Sequence, residues 1–276
     1  MRAGLLQLTA SDDPEASLEQ TRDLIADAMR MRAEFVFTPE VTNCVSMDRA
    51  RQKAVLRPEA RDPTLAALRQ DAADNRIWLL IGSLALRTAD PQGRFANRSF
   101  LIDPMGRIMA RYDKIHMFDV EVDETESYRE SAGFRPGTRA TLAQTPWGGL
   151  GMTICYDIRF PTLYRRLAQA GASMLTVPAA FSPVTGAAHW QVLLRARAIE
   201  TGCWVIAPAQ TGTHPSRSGR QRRTYGHSMV VAPWGEVVLD AGTASDAHVV
   251  EIDPAESERA RARIPAIATE PEWHGP

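Results

Sequence analysis

Disulfide-building material is scarce in this chain. Its 276 residues hold three cysteines, Cys44, Cys155 and Cys203, and none sits in a C-x-x-C pair. An odd, unpaired set excludes a disulfide framework and a cysteine-rich zinc site, and it suits a reducing compartment. Long apolar runs are missing too, since none approaches the roughly 20 residues of a membrane-spanning helix. The opening MRAGLLQLTASDDPE turns acidic too early for a secretory signal. The expectation is a soluble, cytoplasmic protein with no membrane partner. Charge bias is absent: 32 basic against 33 acidic side chains leave a net charge of -1, which gives no global pull toward nucleic acid.

Several catalytic signatures are also missing. There is no G-x-G-x-x-G, no G-x-x-x-x-G-K-[ST] and no H-E-x-x-H. GHSMV (226–230) has valine where the serine elbow G-x-S-x-G needs glycine. Dinucleotide, phosphate-loop, zinc-protease and serine-hydrolase readings therefore lose support. No internal repeat, low-complexity stretch or linker divides the chain, so 1–276 reads as a single domain. Its tail, from about 264, is expected to pack loosely or to dock on a neighbour.

What is present alternates between the strand and helix periods. Residues 3–9 predict a strand, and Asp13 then caps a helix that begins at Pro14. EFVFTPE (34–40) and IWLLIGSLAL (77–86) read as buried strands around a helix over 63–75. Residues 97–114 read as two strands about a Pro-Met-Gly turn. A long irregular, acid-rich segment fills 115–147. Then follow a strand ending at Cys155, a helix over 161–171, a strand over 173–178, a helix over 188–201 and a strand over 203–208. A hairpin over 227–242, a strand over 247–253 and a short helix over 254–263 complete the pattern. Such alternation predicts an α/β sandwich with sheets covered by helices.

Three of these strands end in a reactive side chain: FVFTPE in Glu40, ARYDK in Lys114 and GMTIC in Cys155. Loops after strand ends are where α/β sheets bind ligands. A thiol with an ordinary pKa near 8.5 needs a base or a cation to act as a nucleophile at neutral pH. Glu40 could take that proton and return it to a leaving amine. Lys114 and the Tyr156 N–H could stabilise an oxyanion. Taken singly, each residue has a plainer reading: a small buried apolar residue, a turn carboxylate and a surface charge. Spacing alone does not bring the three together.

FVFTPE, YDKIHMFDVEV and GMTICYDIRFP resemble, in order, the three signature blocks of the nitrilase, or carbon–nitrogen hydrolase, superfamily. FSPVTGAAHWQVLLRARAIETGCWVIAPAQTG and YGHSMVVAPWGEVV resemble its Nit branch, and the likeness runs to about residue 253. The resemblance implies a four-layer αββα sandwich with no metal and no organic cofactor. It implies Glu40 as general base, Lys114 as oxyanion-stabilising lysine and Cys155 as nucleophile. A second glutamate should orient the lysine. YRESAGFRPG (128–137) points to Glu130, with Glu121, Glu124 and Glu126 close enough in sequence to compete. The family pairs through helices into homodimers or larger assemblies. The helix from Pro161, with Leu163, Tyr164 and Leu167, and the 188–201 helix should therefore supply an interface. The chain departs from the closest Nit sequences just after Glu40, and the tail after 264 does not align.

Nit-branch enzymes are amidases, which implies hydrolysis of a small carboxylate-bearing amide through a cysteine thioester. Deaminated glutathione is a candidate substrate. Alternatives are an omega-amidase acting on 2-oxo acid amides, an N-carbamoyl amino-acid hydrolase, and a non-catalytic partner-binding relative. Such a relative should have lost Glu40, Lys114 or Cys155, and this chain keeps all three. Substrate-binding candidates are Asn43, Tyr156, Arg159, Phe181, Ser182, His189 and Trp190. Arg159 could clamp a carboxylate or pair structurally with Asp157 or Glu200. Arg195, Arg197 and Glu200 read as structural ion pairs, and His116, Met117 and Phe118 as pocket-shaping residues. The basic run HPSRSGRQRR (214–223) reads as a solvated loop, with anion contact as its alternative.

Overall fold

The computed structural model describes residues 1–122, 127–217, 221–269 and 275. Strands β1 (Arg2–Gln7), β2 (Phe35–Phe37), β3 (Trp78–Leu86), β4 (Ala96–Ile102) and β5 (Ile108–Asp113) occupy the first part of the chain. Short strands β6 (Asp119–Glu121) and β7 (Ser127–Arg129) pair with each other and are followed by β8 (Thr141–Thr145) and β9 (Gly148–Met152). The remainder are β10 (Ala172–Thr176), β11 (Trp204–Ala207), β12 (Thr211–Thr213), β13 (Arg223–Tyr225), β14 (Met229–Val231), β15 (Val237–Asp240) and β16 (Asp246–Glu251). Helices are α1 (Pro14–Arg30), α2 (Arg49–Val55), α3 (Pro63–Asn75), α4 (Pro161–Gln169), α5 (Pro183–Thr201) and α6 (Ala255–Arg263).

Two six-stranded sheets form among the described residues, ordered β16-β1-β2-β3-β4-β5 and β15-β14-β11-β10-β9-β8. Each has a parallel trio at its centre, β1-β2-β3 or β9-β10-β11, with antiparallel strands outside it. The two sheets thus repeat one topology although the sequence carries no visible repeat. Both faces of the first sheet are buried, as its nearly continuous apolar runs require. Along β1 and β2, Ala3, Leu5, Phe35 and Phe37 enter a core shared with Leu150, Met152, Leu175 and Val205 of the second sheet. The alternating Leu6, Leu8, Val36, Leu79 and Ile81 pack instead with Leu24, Ile25, Leu65 and Leu68 of α1 and α3. Trp190, Leu194 and Ala198 of α5 and Tyr164 and Leu167 of α4 join the core around the second sheet. The order is helices, sheet, sheet, helices: the four-layer αββα sandwich.

Local signals explain most element ends. The Asp13 side chain accepts from Glu15 N at 3.2 Å with Pro14 next, and Asp62 accepts from Leu65 N at 2.8 Å before Pro63. Each such cap is worth about 1 kcal/mol. Gly202 ends α5 in the left-handed region, its N–H donating to Ala198 O at 2.9 Å. Differences from expectation are also local. α5 starts at Pro183 rather than 188, because Ser182-Pro183 is itself a helix start. The strand leading to Glu40 stops at Phe37, because Pro39 has no N–H for a ladder. The segment over 115–147 is less irregular than its composition suggests, since it contains β6, β7 and β8. Tyr164 and Leu167 turn inward, 0% and 3% exposed, and leave α4's outer face to Thr162 and Arg166.

Gly82 in β3 fits where nothing larger could. A Cβ there would fall 2.5 Å from Pro178 Cβ and 2.6 Å from Pro39 O, and closer still to Thr38 O. Pro39 precedes Glu40 at the end of the first sheet; Pro178 follows β10 in the second.

Candidate active site

The loop that carries Glu40 is tied to β3. Thr38 N donates to Leu80 O, Ser83 N to Pro39 O, and Thr42 N to Ser83 O, at 2.9–3.2 Å. Val41, at φ +49°, turns the chain back and donates to Ser83 Oγ at 2.7 Å. This geometry sends the Glu40 side chain inward, to 4% exposure. Lys114 follows β5; its N–H bonds Asn97 O, and its carbonyl accepts from Gly137 N.

Cys155 stands in the left-handed region at φ +50°, a conformation L-residues adopt only when their surroundings hold them there. Its N–H donates to Pro178 O at 2.9 Å, and it opens the short 3-10 turn Cys155–Arg159. Asp157, fully buried, fastens the turn. It accepts from Ile154 N at 2.9 Å, Tyr112 OH at 2.7 Å and His116 N at 3.0 Å, with His116 Nδ1 2.7 Å away. A strand followed by this sharp turn is a nucleophile elbow in everything but its residue.

The three strand ends do meet. Lys114 Nζ lies 2.9 Å from Glu40 Oε1 and 2.8 and 3.0 Å from the two Glu130 oxygens. Glu40 Oε2 accepts from Ala180 N at 2.9 Å. Glu130 Oε2 also accepts from Phe118 N at 2.7 Å, which fixes it beside the lysine. Of its sequence competitors, Glu121 pairs with Arg129 instead, while Glu124 and Glu126 lie outside the described residues. Cys155 lines the same cavity as Glu40 and Lys114, and the charges of both act on its thiol.

These contacts fix the protons. Burial pushes the Glu40 carboxyl up, but the Lys114 charge, its hydrogen bond and the Arg222 charge outweigh that and hold it below its usual range. Burial opposes the Lys114 charge, yet Glu130 and Glu40 hold its ammonium above the usual lysine range. Burial, and then the Glu40 charge, push the Cys155 thiol up against the pull of Lys114. At neutral pH the resting site is carboxylate, ammonium and thiol.

A cavity of about 360 Å³ opens over the cluster, lined by Glu40, Lys114, Glu130 and Cys155. Tyr156, Phe181 and Ser182 also line it. Phe118 stands between Tyr128 and Tyr156, ring centres 5.0 and 5.1 Å away, and forms an aromatic wall. The other substrate-binding candidates lie elsewhere. Asn43 is spent on β3, its amide donating to Ala85 O at 3.0 Å and accepting from Ala85 N at 2.9 Å. Trp190 is a core residue, 1% exposed, whose Nε1 donates to His227 O at 2.8 Å. His189 is exposed, with Nδ1 3.2 Å from Arg159 Nη2, and neither residue lines the cavity. Arg159 pairs with neither expected acid; its guanidinium lies 5.9 and 5.7 Å from the Tyr156 and Phe181 rings. Glu200 pairs with Arg197, while Arg195 bonds Gly235 O. Met117 stays off the wall, and His116 stacks on Phe160 at 3.5 Å.

Sequence reasoning missed Asn97 and Arg49, which line the cavity together with Arg222. Asn97 sits mid-strand in β4, where nothing distinguishes it from a structural amide. Arg222 belongs to the basic run read first as solvated, with anion contact as its alternative. Residues 218–220 of that run lie outside the described residues, and Arg217 is tied back to Asp13. Cys44 lines the cavity as a second thiol, its pKa pushed up to about 12 by burial and the Asp12 charge. Cys203 is fully buried in the core.

Two sheets thus bring a carboxylate, an ammonium and a thiol from their strand ends to one cavity, and comparison with known proteins identifies the class. The chain matches the carbon–nitrogen hydrolase family over residues 2–262. The deaminated glutathione amidase of Synechocystis sp. is 39% identical over 267 residues, covering 96% of each chain. The Bos taurus deaminated glutathione amidase is 38% identical over 264 residues, 95% of this chain and 79% of its own. Among solved structures, the C. elegans NitFhit protein superposes with a TM-score of 0.88 at 34% identity, over 98% of this chain and 64% of its own. The chain belongs to the carbon–nitrogen hydrolase family. No helix among the described residues is long and apolar enough to cross a membrane.

Proposed function

We propose that this protein is a cytoplasmic amidase that hydrolyses the C–N bond of a small carboxylate-bearing amide through a thioester on Cys155. Deaminated glutathione is the leading substrate. The observation that carries the reading is the convergence of Glu40, Lys114 and Cys155 from three strand ends at one cavity. The names of relatives alike over nearly the whole chain support the substrate. Residues 1–276 act as one such domain.

Glu40 removes the Cys155 proton as sulfur attacks the amide carbon. Lys114 and the Tyr156 N–H face the oxyanion that forms. The C–N bond breaks as Glu40 passes its proton to the departing nitrogen, so an amine or ammonia leaves a thioester behind. Water, deprotonated by Glu40, then attacks the thioester; the carboxylic acid departs and the proton returns to sulfur. Glu130 holds the ammonium in place with both its oxygens. No step draws on a metal or organic cofactor.

Mass spectrometry of enzyme quenched during turnover tests this. An acyl adduct is expected on the Cys155 peptide, with none in Cys155→Ala. Glu40→Gln should lower kcat by at least about 10²–10³-fold, the scale of losing a principal catalytic group. Adduct on Cys44 with Cys155 unmodified, or near wild-type kcat in Glu40→Gln, would overturn the assignment. Higher kcat/KM for 2-oxoglutaramate than for deaminated glutathione would favour the omega-amidase reading. We also read the protein as a homodimer, because α5 exposes Val184, Val192 and Ile199 along its outer side.

A further inference from the structure

Three polar atoms on the cavity wall have no partner: one acceptor, Asn97 Oδ1, and two that can donate. Ser182 is 2% exposed, and its hydroxyl bonds nothing. It stands at the N-cap of α5, where a serine ordinarily accepts from an amide of the first turn, but no such bond forms. The second donor is Arg222 Nε, buried and likewise unbonded. Arg222 Nη2 donates to Ala180 O at 2.6 Å, and the guanidinium lies 5.6 Å from the Tyr128 ring. Among the described residues no carboxylate forms an ion pair in contact with it, although its charge acts on Glu40.

These groups adjoin the reaction centre. Ala180 carries Arg222 on its carbonyl and Glu40 on its N–H. Lys114 already faces two carboxylates, Glu40 and Glu130, and is not the partner for a third. Arg49 spends both terminal nitrogens on Gly133 O and Gly93 O. Arg159, the sequence's candidate clamp, is off the wall. α5 is 19 residues long, and its first-turn N–H groups add partial positive charge at its start. Buried donors without acceptors, a guanidinium with no carboxylate in contact and a helix N-terminus together call for an anion.

We propose that Arg222, Ser182 and the first turn of α5 form the seat for a carboxylate of the amide substrate. This rests on the amidase reading above. The carboxylate accepts from Arg222 Nε and Ser182 Oγ, and it gives the guanidinium an anion in direct contact, where Glu40 acts on it only through its charge. It anchors the substrate through groups beside Glu40, so the scissile carbonyl is held near Cys155 by an attachment on one side only. Arg222 acts here as a specificity-determining residue.

The carboxylate can belong to the acyl half or to the departing half, and matched amides separate the two. Glutaramate against pentanamide reads the acyl side; N-pentanoylglycine against N-pentanoylmethylamine reads the leaving side. Arg222→Gln should lower the charged-to-neutral ratio of kcat/KM about 10- to 100-fold in one pair, chiefly through KM. Arg222→Lys should recover part of the loss, and Ser182→Ala should move the same ratio in the same direction by less. Equal changes for charged and neutral members in both pairs would overturn the seat. Should Arg222→Gln fail to fold, calorimetric titration of wild type and Ser182→Ala with glutarate reads it directly. Binding weakened by Ser182→Ala supports the seat, and no binding to wild type refutes it. If wild type cleaves no amide, the amidase reading fails, while the same titration still decides whether the seat exists.

Discussion

Asn97 Nδ2 donates to Glu40 Oε1 at 2.8 Å, the oxygen that also takes the Lys114 bond, and reaches Glu130 Oε1 at 3.4 Å. One amide thereby spaces the two carboxylates that share a lysine. A donor to the charged form of a carboxyl lowers its pKa, so removing it should raise that of Glu40. Asn97→Ala should lower kcat/KM by about 10- to 100-fold, the scale of one bond to a charged group, and move the acid limb of the pH–rate profile to higher pH. A loss of activity with an unmoved acid limb would mean that Asn97 acts only through packing.

The resting thiol is a second expectation. Burial holds all three cysteines above the usual thiol range, joined for Cys155 by the Glu40 charge. Thiolate absorbance near 240 nm should therefore be the same in wild type and Cys155→Ala at pH 7. Its absence separates this site from thiolate–imidazolium pairs, where the nucleophile is ionised beforehand. A difference of one thiolate per chain would contradict the proton placement.

His214 should make stability pH-dependent. It is 1% exposed, with Nδ1 2.7 Å from Ala10 O and Nε2 2.7 Å from Thr224 Oγ1. Burial, reinforced by the Arg222 charge, lowers its pKa from 6.5 to about 4. The folded state thus prefers the neutral ring. Its contribution is complete above about pH 6.5 and is lost as pH falls toward 4, by at most about 3 kcal/mol. Denaturant unfolding of wild type and His214→Gln should show a stability gap that narrows over that window. A gap independent of pH would remove His214 from the acid response.

Association is the fourth. With Tyr164 and Leu167 turned inward, the apolar outer surface lies on α5 at Val184, Val192 and Ile199. An isologous contact repeats that patch across a two-fold axis. Sedimentation should give a dimer at micromolar concentration, and Val192→Glu should shift it toward monomer. Wild type sedimenting only as monomer would count against the pairing.

The sequence announced whatever depends on local chemistry or on long motifs. Asp13-Pro14 and Asp62-Pro63 mark helix starts within a residue, and the blocks around Glu40, Lys114 and Cys155 name the strand ends that converge. The pairing of two sheets with matching topology was legible only through resemblance, because register between distant strands leaves no trace in spacing. The pocket wall was the least legible part. Asn43 and Trp190 looked available beside their motifs, but tertiary contacts with Ala85 and His227 consume their polar groups. Arg222 lay in a basic run whose two readings, solvated loop or anion contact, the sequence could not separate; β12 and β13 bring it back over Ala180. Such roles depend on which side chains the fold leaves unsatisfied, and that is decided far from them in sequence.

Gly82 bears on how this enzyme tolerates change. Glu40 arrives on one sheet and Cys155 on the other, and their loops close on each other at Pro39 and Pro178 across that single glycine. A methyl group there would press first on Thr38 O and Pro39 O of the loop that carries Glu40, and then on Pro178 beneath the thiol. Catalytic groups tolerate displacements of only about 0.5 Å. Gly82→Ala should therefore shift the Glu40 loop against β3 as well as against the second sheet, so the spacing between carboxylate and thiol is set by a side chain that is missing.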